Sequence, residues 1–260
     1  MKSVPMEHRF EVLKGIAESI RMDGLGRVAI VIYNEKNADR YNSPRGNSLI
    51  IPRQPQSQIR EETNRNYRIT YNESGLWTYT VADIPARWAD TIAKFSLENG
   101  GHVTLAVDKI TGVVLGASFS VPYGVVMASH SADLKEIVGK TVEYAAGLKI
   151  NPELLHYAVD RTVATEVQGL GIGRLIVSAR DQESSANGLI GNVTWVSDVT
   201  GNTAVAALQK NGYSLYAHGL GGEYSGETPF FIVERDPQRP HLMKIFDGSE
   251  RQPLIEVIRP

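Results

Sequence analysis

The sequence contains no cysteine. That removes thiolate nucleophiles, thiolate metal ligands and disulfides together, and any covalent intermediate must use another group. Long apolar runs are missing as well, with nothing near the roughly 18 consecutive apolar residues a membrane span needs. Charge of one sign is not in excess: 27 basic and 29 acidic side chains leave a formal net charge of -2. No global field exists to gather nucleic acid or an anionic membrane. Met1 to Phe10 carries charges and a proline where a secretory signal would need an apolar stretch, so a cytoplasmic location is the expectation. The six histidines, at 8, 102, 130, 156, 218 and 241, have no ligand spacing, and no metal site is expected. Gly116-Ala117-Ser118-Phe119-Ser120 lacks the second glycine of a nucleophile elbow.

What remains is an ordinary globular composition. The 260 residues are 42% hydrophobic and 22% charged, enough for one sizeable core. Phe10, Leu13, Ala17 and Ile20 recur at helical spacing over Glu7 to Met22, and Arg27 to Tyr33 is a short β-rich run. Asn34 to Arg65 is polar and punctuated by Pro44, Pro52 and Pro55, so residues 1–65 read as an appended region. Strands are expected at 67–71 and 76–81, then a helix over Ile84 to Glu98 stopped by Asn99-Gly100-Gly101. Val103, Leu105 and Val107 alternate inward in a hairpin whose second strand is Val113 to Val121. A helix over Ala132 to Ala146 and a strand over Leu154 to Val163 follow. Residues 237–260, with three prolines from Gln238 on, read as a C-terminal tail. The fold class expected for 66–236 is α/β, a mixed sheet flanked by helices. Trp77, Trp88 and Trp195 are expected in the core.

The strand ending at Val163 runs into Ala164-Thr165-Glu166-Val167-Gln168-Gly169-Leu170-Gly171-Ile172-Gly173, and a helix takes over. Such a junction suits phosphate, because the first helical N–H groups lack intrahelical partners and the helix dipole adds positive potential. Glycines at 169, 171 and 173 let the backbone approach a pyrophosphate closely. Gln168 can orient the loop through its amide, and Arg174 adds charge. Arg174 stands where a Rossmann fingerprint needs glycine, and the lysine and hydroxyl of a P-loop are missing.

The spacing that fits is Q/R-x-x-G-x-G/A, carried by Gln168, Gly171 and Gly173. It resembles the pyrophosphate-binding motif of the GNAT acetyltransferase superfamily, and Val163 to Ile176 follows that family's strand-to-helix consensus with Thr165 in place of a frequent proline. Leu208-Gln209-Lys210-Asn211-Gly212-Tyr213 is similar to the family's late helix ending in a Gly-aromatic pair.

The resemblance implies a GNAT-like central mixed sheet with an N-terminal extension, and acetyl-CoA as co-substrate. Val163 and Thr165 would hold the pantetheine arm by main-chain bonds. The amides of Gln168, Gly169, Leu170, Gly171, Ile172 and Gly173 would take the pyrophosphate, with Arg174 beside them, and Asn202 matches a position that often contacts the cofactor. The implied activity is acetyl transfer to a primary amine by direct attack, the acceptor being a small molecule or a protein amine. A homodimer is compatible with this reading.

For the base, the strand offers His156 and Asp160 on one face, with Tyr157 on the other. The family often supplies its acid as a tyrosine four residues before the Gly-aromatic pair; here that residue is Leu208. Tyr213 or Tyr216 substitutes, or water supplies the proton. The alternative is a GNAT-shaped acyl-CoA sensor without transfer chemistry, and a third reading is a nucleotide-binding oxidoreductase using the same turn.

Overall fold

The structure, a computed structural model, describes residues 8–38, 88–128, 132–196, 204–219, 223–225, 228–232, 239–248 and 256–259. The strands expected at 67–71 and 76–81 lie outside the described residues, as do Trp77 and Asn202.

Helix α1 (Arg9–Asp23) leads into strand β1 (Val28–Asn34). Leu13, Ile16, Ala17 and Ile20 of α1 are buried at helical spacing. Ile16 takes the inward place expected for Phe10, which is 48% exposed with Lys14 over its ring. Helix α2 (Trp88–Glu98) precedes the hairpin of β2 (His102–Asp108) and β3 (Val114–Pro122). Two helices come next, the short α3 (Tyr123–Met127) and α4 (Ala132–Gly147), and then β4 (Leu155–Val163). Helix α5 (Ile172–Ala186), β5 (Gly191–Trp195), α6 (Ala204–Lys210) and β6 (Ser214–Gly219) follow. The remaining strands are β7 (Glu223–Ser225), β8 (Thr228–Ile232), β9 (Arg239–Ile245) and β10 (Glu256–Ile258).

Eight strands form one mixed sheet in the order β10-β1-β2-β3-β4-β5-β9-β6, and β7 pairs with β8 separately. Helices cover both faces. On one side, Val31 and Tyr33 of β1, Leu105 of β2, Phe119 of β3 and Tyr157 of β4 pack with Ile92 and Leu97 of α2 and Ile137 of α4. On the other, Ile30 and Ile32 of β1 and Leu115 of β3 pack with α1 and with Ile172, Ile176 and Ala179 of α5. Strands covered on both faces need apolar residues at every position, which accounts for the unbroken Val28 to Tyr33 run. It also corrects the alternation expected of β2, where His102, Thr104 and Asp108 are buried as fully as Val103, Leu105 and Val107.

The segments set apart in the sequence as 1–65 and 237–260 both supply strands to this sheet. β1 pairs along its whole length with β2, β9 lies between β5 and β6, and β10 runs parallel to β1 at the edge. The core is therefore continuous across both boundaries. Among the described residues, no helix is long and apolar enough to cross a membrane.

Candidate functional site

β4 and β5 are parallel neighbours over only three register pairs, Leu155 with Gly191, His156 with Asn192 and Tyr157 with Val193. The Thr194 hydroxyl still reaches the Ala158 carbonyl at 3.4 Å, and there the strands part. Beyond those pairs β4 continues to Val163, and among the described residues its strand pairing there is with β3. Ala164 donates its N–H to the Leu115 carbonyl at 2.8 Å. Strand alternation then turns the Val163 N–H the opposite way, towards the edge that β5 has left.

The chain leaves β4 through a 3-10 turn at Thr165–Val167 and enters α5, with Gly171 at the flanking position. Gly169 and Gly171 have φ of +76° and +89°. A Cβ in this left-handed region costs about 1–2 kcal/mol, which is why the turn needs glycine there. Gln168 donates its side-chain amide to the Val163 carbonyl at 3.0 Å and ties the loop to the end of the strand, the orienting role expected of it. The Val167 and Gln168 amides are used within the turn, and those of Arg174 and Leu175 bond the Gly171 carbonyl. Between them, the amides of Gly169, Leu170, Gly171, Ile172 and Gly173 meet no backbone acceptor among the described residues. No acidic side chain stands in the first turn of α5. Gln168, Gly169, Gly171 and Arg174 are exposed, as is Thr165, while Ile172 anchors the turn in the core. The arrangement is a cradle of N–H donors at the positive end of a helix, exposed at Gln168, Gly169 and Gly171 and beside the stretch of β4 that lies past its register pairs with β5.

Sequence reasoning missed Arg161. A Cβ added at Gly173 would lie 3.9 Å from both Cζ and Nη1 of Arg161, so the guanidinium stands against the first turn of α5. Strand alternation held the signal, because Arg161 precedes Val163 by two and shares its face.

The proposed acid and base are placed differently from expectation. His156 is 2% exposed beneath α5, with Nδ1 3.1 Å from the Ser184 hydroxyl and its ring 5.2 Å from that of His102. Burial, then the neighbouring His102 and Arg180, push its pKa down to about 2. A ring so weakly basic and so covered cannot take a proton from an ammonium at neutral pH, and His156 is withdrawn as the base. Tyr213 is also buried. Its hydroxyl donates to Asp181 Oδ1 at 2.8 Å and accepts from Arg180. Asn192 and Lys244 bond the same carboxylate at 2.7 and 3.2 Å. Burial raises the Tyr213 pKa, and the residue ties α5 to β5 and β9 rather than facing the cradle. Leu208 packs beside it with Val177 and Leu242, so that position belongs to the core. Asp160 does not share the register face of His156. A bulge at Val159 puts position 160 opposite Phe119, whereas Ala158 is opposite Ser120.

On the sheet face away from α5, aromatic rings border the point where β4 and β5 part. Tyr157 and Trp195 have centroids 4.4 Å apart, and Tyr144 stacks on Tyr216 at 4.9 Å. The Tyr216 hydroxyl is 2.7 Å from that of Thr141, and burial pushes its pKa up to about 12. Trp195, expected in the core, is half-buried in this wall. Among the described residues, no three His, Asp or Glu side chains gather as a metal site would require.

No family model matches the chain, and no curated protein matches it in sequence. Solved structures do resemble it. A mosquito arylalkylamine N-acetyltransferase-like protein (5b) matches with a TM-score of 0.52 at 13% identity, over 84% of this chain and 100% of that one. A GNAT superfamily phosphinothricin acetyltransferase from Sinorhizobium meliloti, in complex with acetyl-CoA, scores 0.45 at 16% identity, over 73% and 87% of the two chains. A GNAT-family acetyltransferase from Staphylococcus aureus scores 0.46 at 11% identity, over 84% and 98%. The chain has the GNAT acetyltransferase fold, an assignment that rests on the first of these likenesses and on the sheet described above.

Proposed function

We propose that this protein binds acetyl-CoA at the β4–α5 turn and transfers the acetyl group to a primary amine by direct attack. The observation that carries the reading is the run of amides from Gly169 to Gly173 that meet no backbone acceptor among the described residues, placed beside the stretch of β4 past its register pairs with β5. Five N–H groups at a helix start suit a pyrophosphate, and the backbone of β4 past its register pairs with β5 suits the amide groups of a pantetheine arm. Val163 and Thr165 would bind that arm. The Val163 N–H would polarise the thioester carbonyl and stabilise the oxyanion that forms when the amine attacks. Asn202 is retained as a cofactor contact from the family resemblance alone.

The amine must lose a proton and the departing thiolate must gain one. With His156 and Tyr213 sequestered, Asp160 remains the strand residue proposed as base, directly or through water. Tyr216 is protonated at neutral pH and stands in the wall beside the strand separation, so it is the tyrosine proposed to donate to the thiolate. The same wall suits a small amine carrying a flat apolar body, which can lie against Tyr157 and Trp195.

Thiol release from acetyl-CoA, measured across a panel of primary amines, tests the proposal. Amine-dependent release is expected. Tight CoA binding with no release on any amine would make the protein an acyl-CoA sensor, and a Tm raised by NAD but not by CoA would point to the oxidoreductase reading.

A further inference from the structure

We propose that Arg161 is a cofactor-positioning residue whose guanidinium binds the pyrophosphate of acetyl-CoA together with the Gly169 to Gly173 amides. The inference rests on the acetyl-CoA reading and adds to it a side-chain ligand that the turn motif does not contain.

Arg161 lies on the part of β4 beyond the last register pair with β5, opposite Ser118 of β3. Its side chain shares the α5 face with Val163, and both approach Gly173. The stem can cover apolar surface between strand and helix while the half-buried head reaches the helix start. The head is a planar fork of N–H donors that stays charged at every accessible pH, a shape matched to two oxygens of a phosphate.

Charge supports the same placement. The positive end of α5, Arg161 and Arg174 gather around the first turn of α5, which contains no acidic side chain, Glu166 lying in the 3-10 turn before it. A dianion seated there can accept bonds from both guanidiniums and from the helix amides. Gly173 also fits this arrangement. Its φ is not in the left-handed region, and a Cβ would meet Val163 at an ordinary 3.6 Å, so the fold alone does not demand glycine there. A bare backbone keeps the path between the guanidinium and the helix start clear.

The test is calorimetric titration of the full chain and of Arg161→Met and Arg161→Lys with CoA, dephospho-CoA and pantetheine. Arg161→Met is expected to weaken CoA and dephospho-CoA roughly ten- to a hundredfold, the range for lost charge-assisted bonds, and to leave pantetheine unchanged. Arg161→Lys keeps the charge and loses the fork, and an intermediate loss is expected; should the methionine variant fail to fold, wild-type affinity in the lysine variant overturns the proposal. Undiminished CoA binding by Arg161→Met overturns it too, as does an equal loss on pantetheine, which would mean a structural role. A loss on CoA absent with dephospho-CoA would assign the arginine to the ribose 3′-phosphate and overturn the pyrophosphate placement. If the wild-type chain itself ignores CoA, the acetyl-CoA reading fails first; if it binds and Arg161→Met binds equally, only this inference falls.

Discussion

At the scale of single residues, burial decides which polar groups titrate and which serve as framework. His102 and His156 meet beneath α5, and burial, helped by the nearby Arg180 charge, lowers their pKa values to about 3 and about 2. Unfolded histidine titrates near 6.5, so on acidification the unfolded chain takes up protons before the folded one does. Their contribution to stability is therefore complete above about pH 6.5 and is lost as the pH falls below it, by up to about 1.4 kcal/mol per pH unit for each ring. Urea midpoints between pH 7 and pH 4 should follow this slope, and His156→Gln should flatten it by about one proton; an unchanged slope would show that His156 charges in the folded state. Gly173→Ala is expected to raise stability by up to about 1 kcal/mol, since alanine favours the helix and its methyl meets only ordinary contacts. A lowered Tm would contradict that. The cradle was legible because its chemistry is local, with Gln168, Gly171 and Gly173 fixed by spacing along one turn. His156 and Tyr213 were not legible, because only the covering helix decides that they are framework.

At the scale of elements, α5 can seat against the sheet because Gly116 lies beneath it. A Cβ at Gly116 would come within 2.6 Å of the Thr162 carbonyl oxygen and 2.9 Å of Ile176 Cδ1. Gly116→Ala should therefore cost about 1–3 kcal/mol in denaturant unfolding, the range for overpacking a well-filled core; a neutral effect would mean the helix can rise without penalty. The bulge at Val159 shows where element reading stops. Simple alternation from His156 puts Asp160 on the same face, but one extra residue in β4 moves position 160 into register with Phe119. Among the described residues periodicity gave the longer helices within a few residues and missed the short α3. No local pattern announced the bulge or the parting of β4 from β5, since both depend on the partner strands.

At the scale of the whole molecule, the ends of the chain complete the sheet. β9 bridges β5 and β6, and β10 extends the edge beyond β1, where Arg259 bonds the buried Glu183 carboxylate at 3.0 Å. A run such as Arg239 to Ile245 carries a proline at its second position and is of weak strand character, and its place between two earlier strands is a long-range fact that composition cannot express. Truncation after residue 236 is thus expected to abolish cooperative unfolding rather than trim a tail, and circular dichroism melting would check it. A cooperative melt near the full-length Tm would contradict the shared core.

The central claim, that the β4–α5 turn holds the pyrophosphate of acetyl-CoA, is tested most directly by titrating CoA into wild-type, Gly171→Ala and Gly171→Glu protein. Both substitutions impose a side chain on a backbone with φ of +89°, so both should lose a similar 1–2 kcal/mol or so of stability. Only the glutamate adds a negative charge to the phosphate path. Saturable one-to-one binding is expected in wild type, weakened in Gly171→Ala and absent in Gly171→Glu. Equal CoA affinity in folded Gly171→Glu and wild type, or no binding by wild type at all, would contradict the claim.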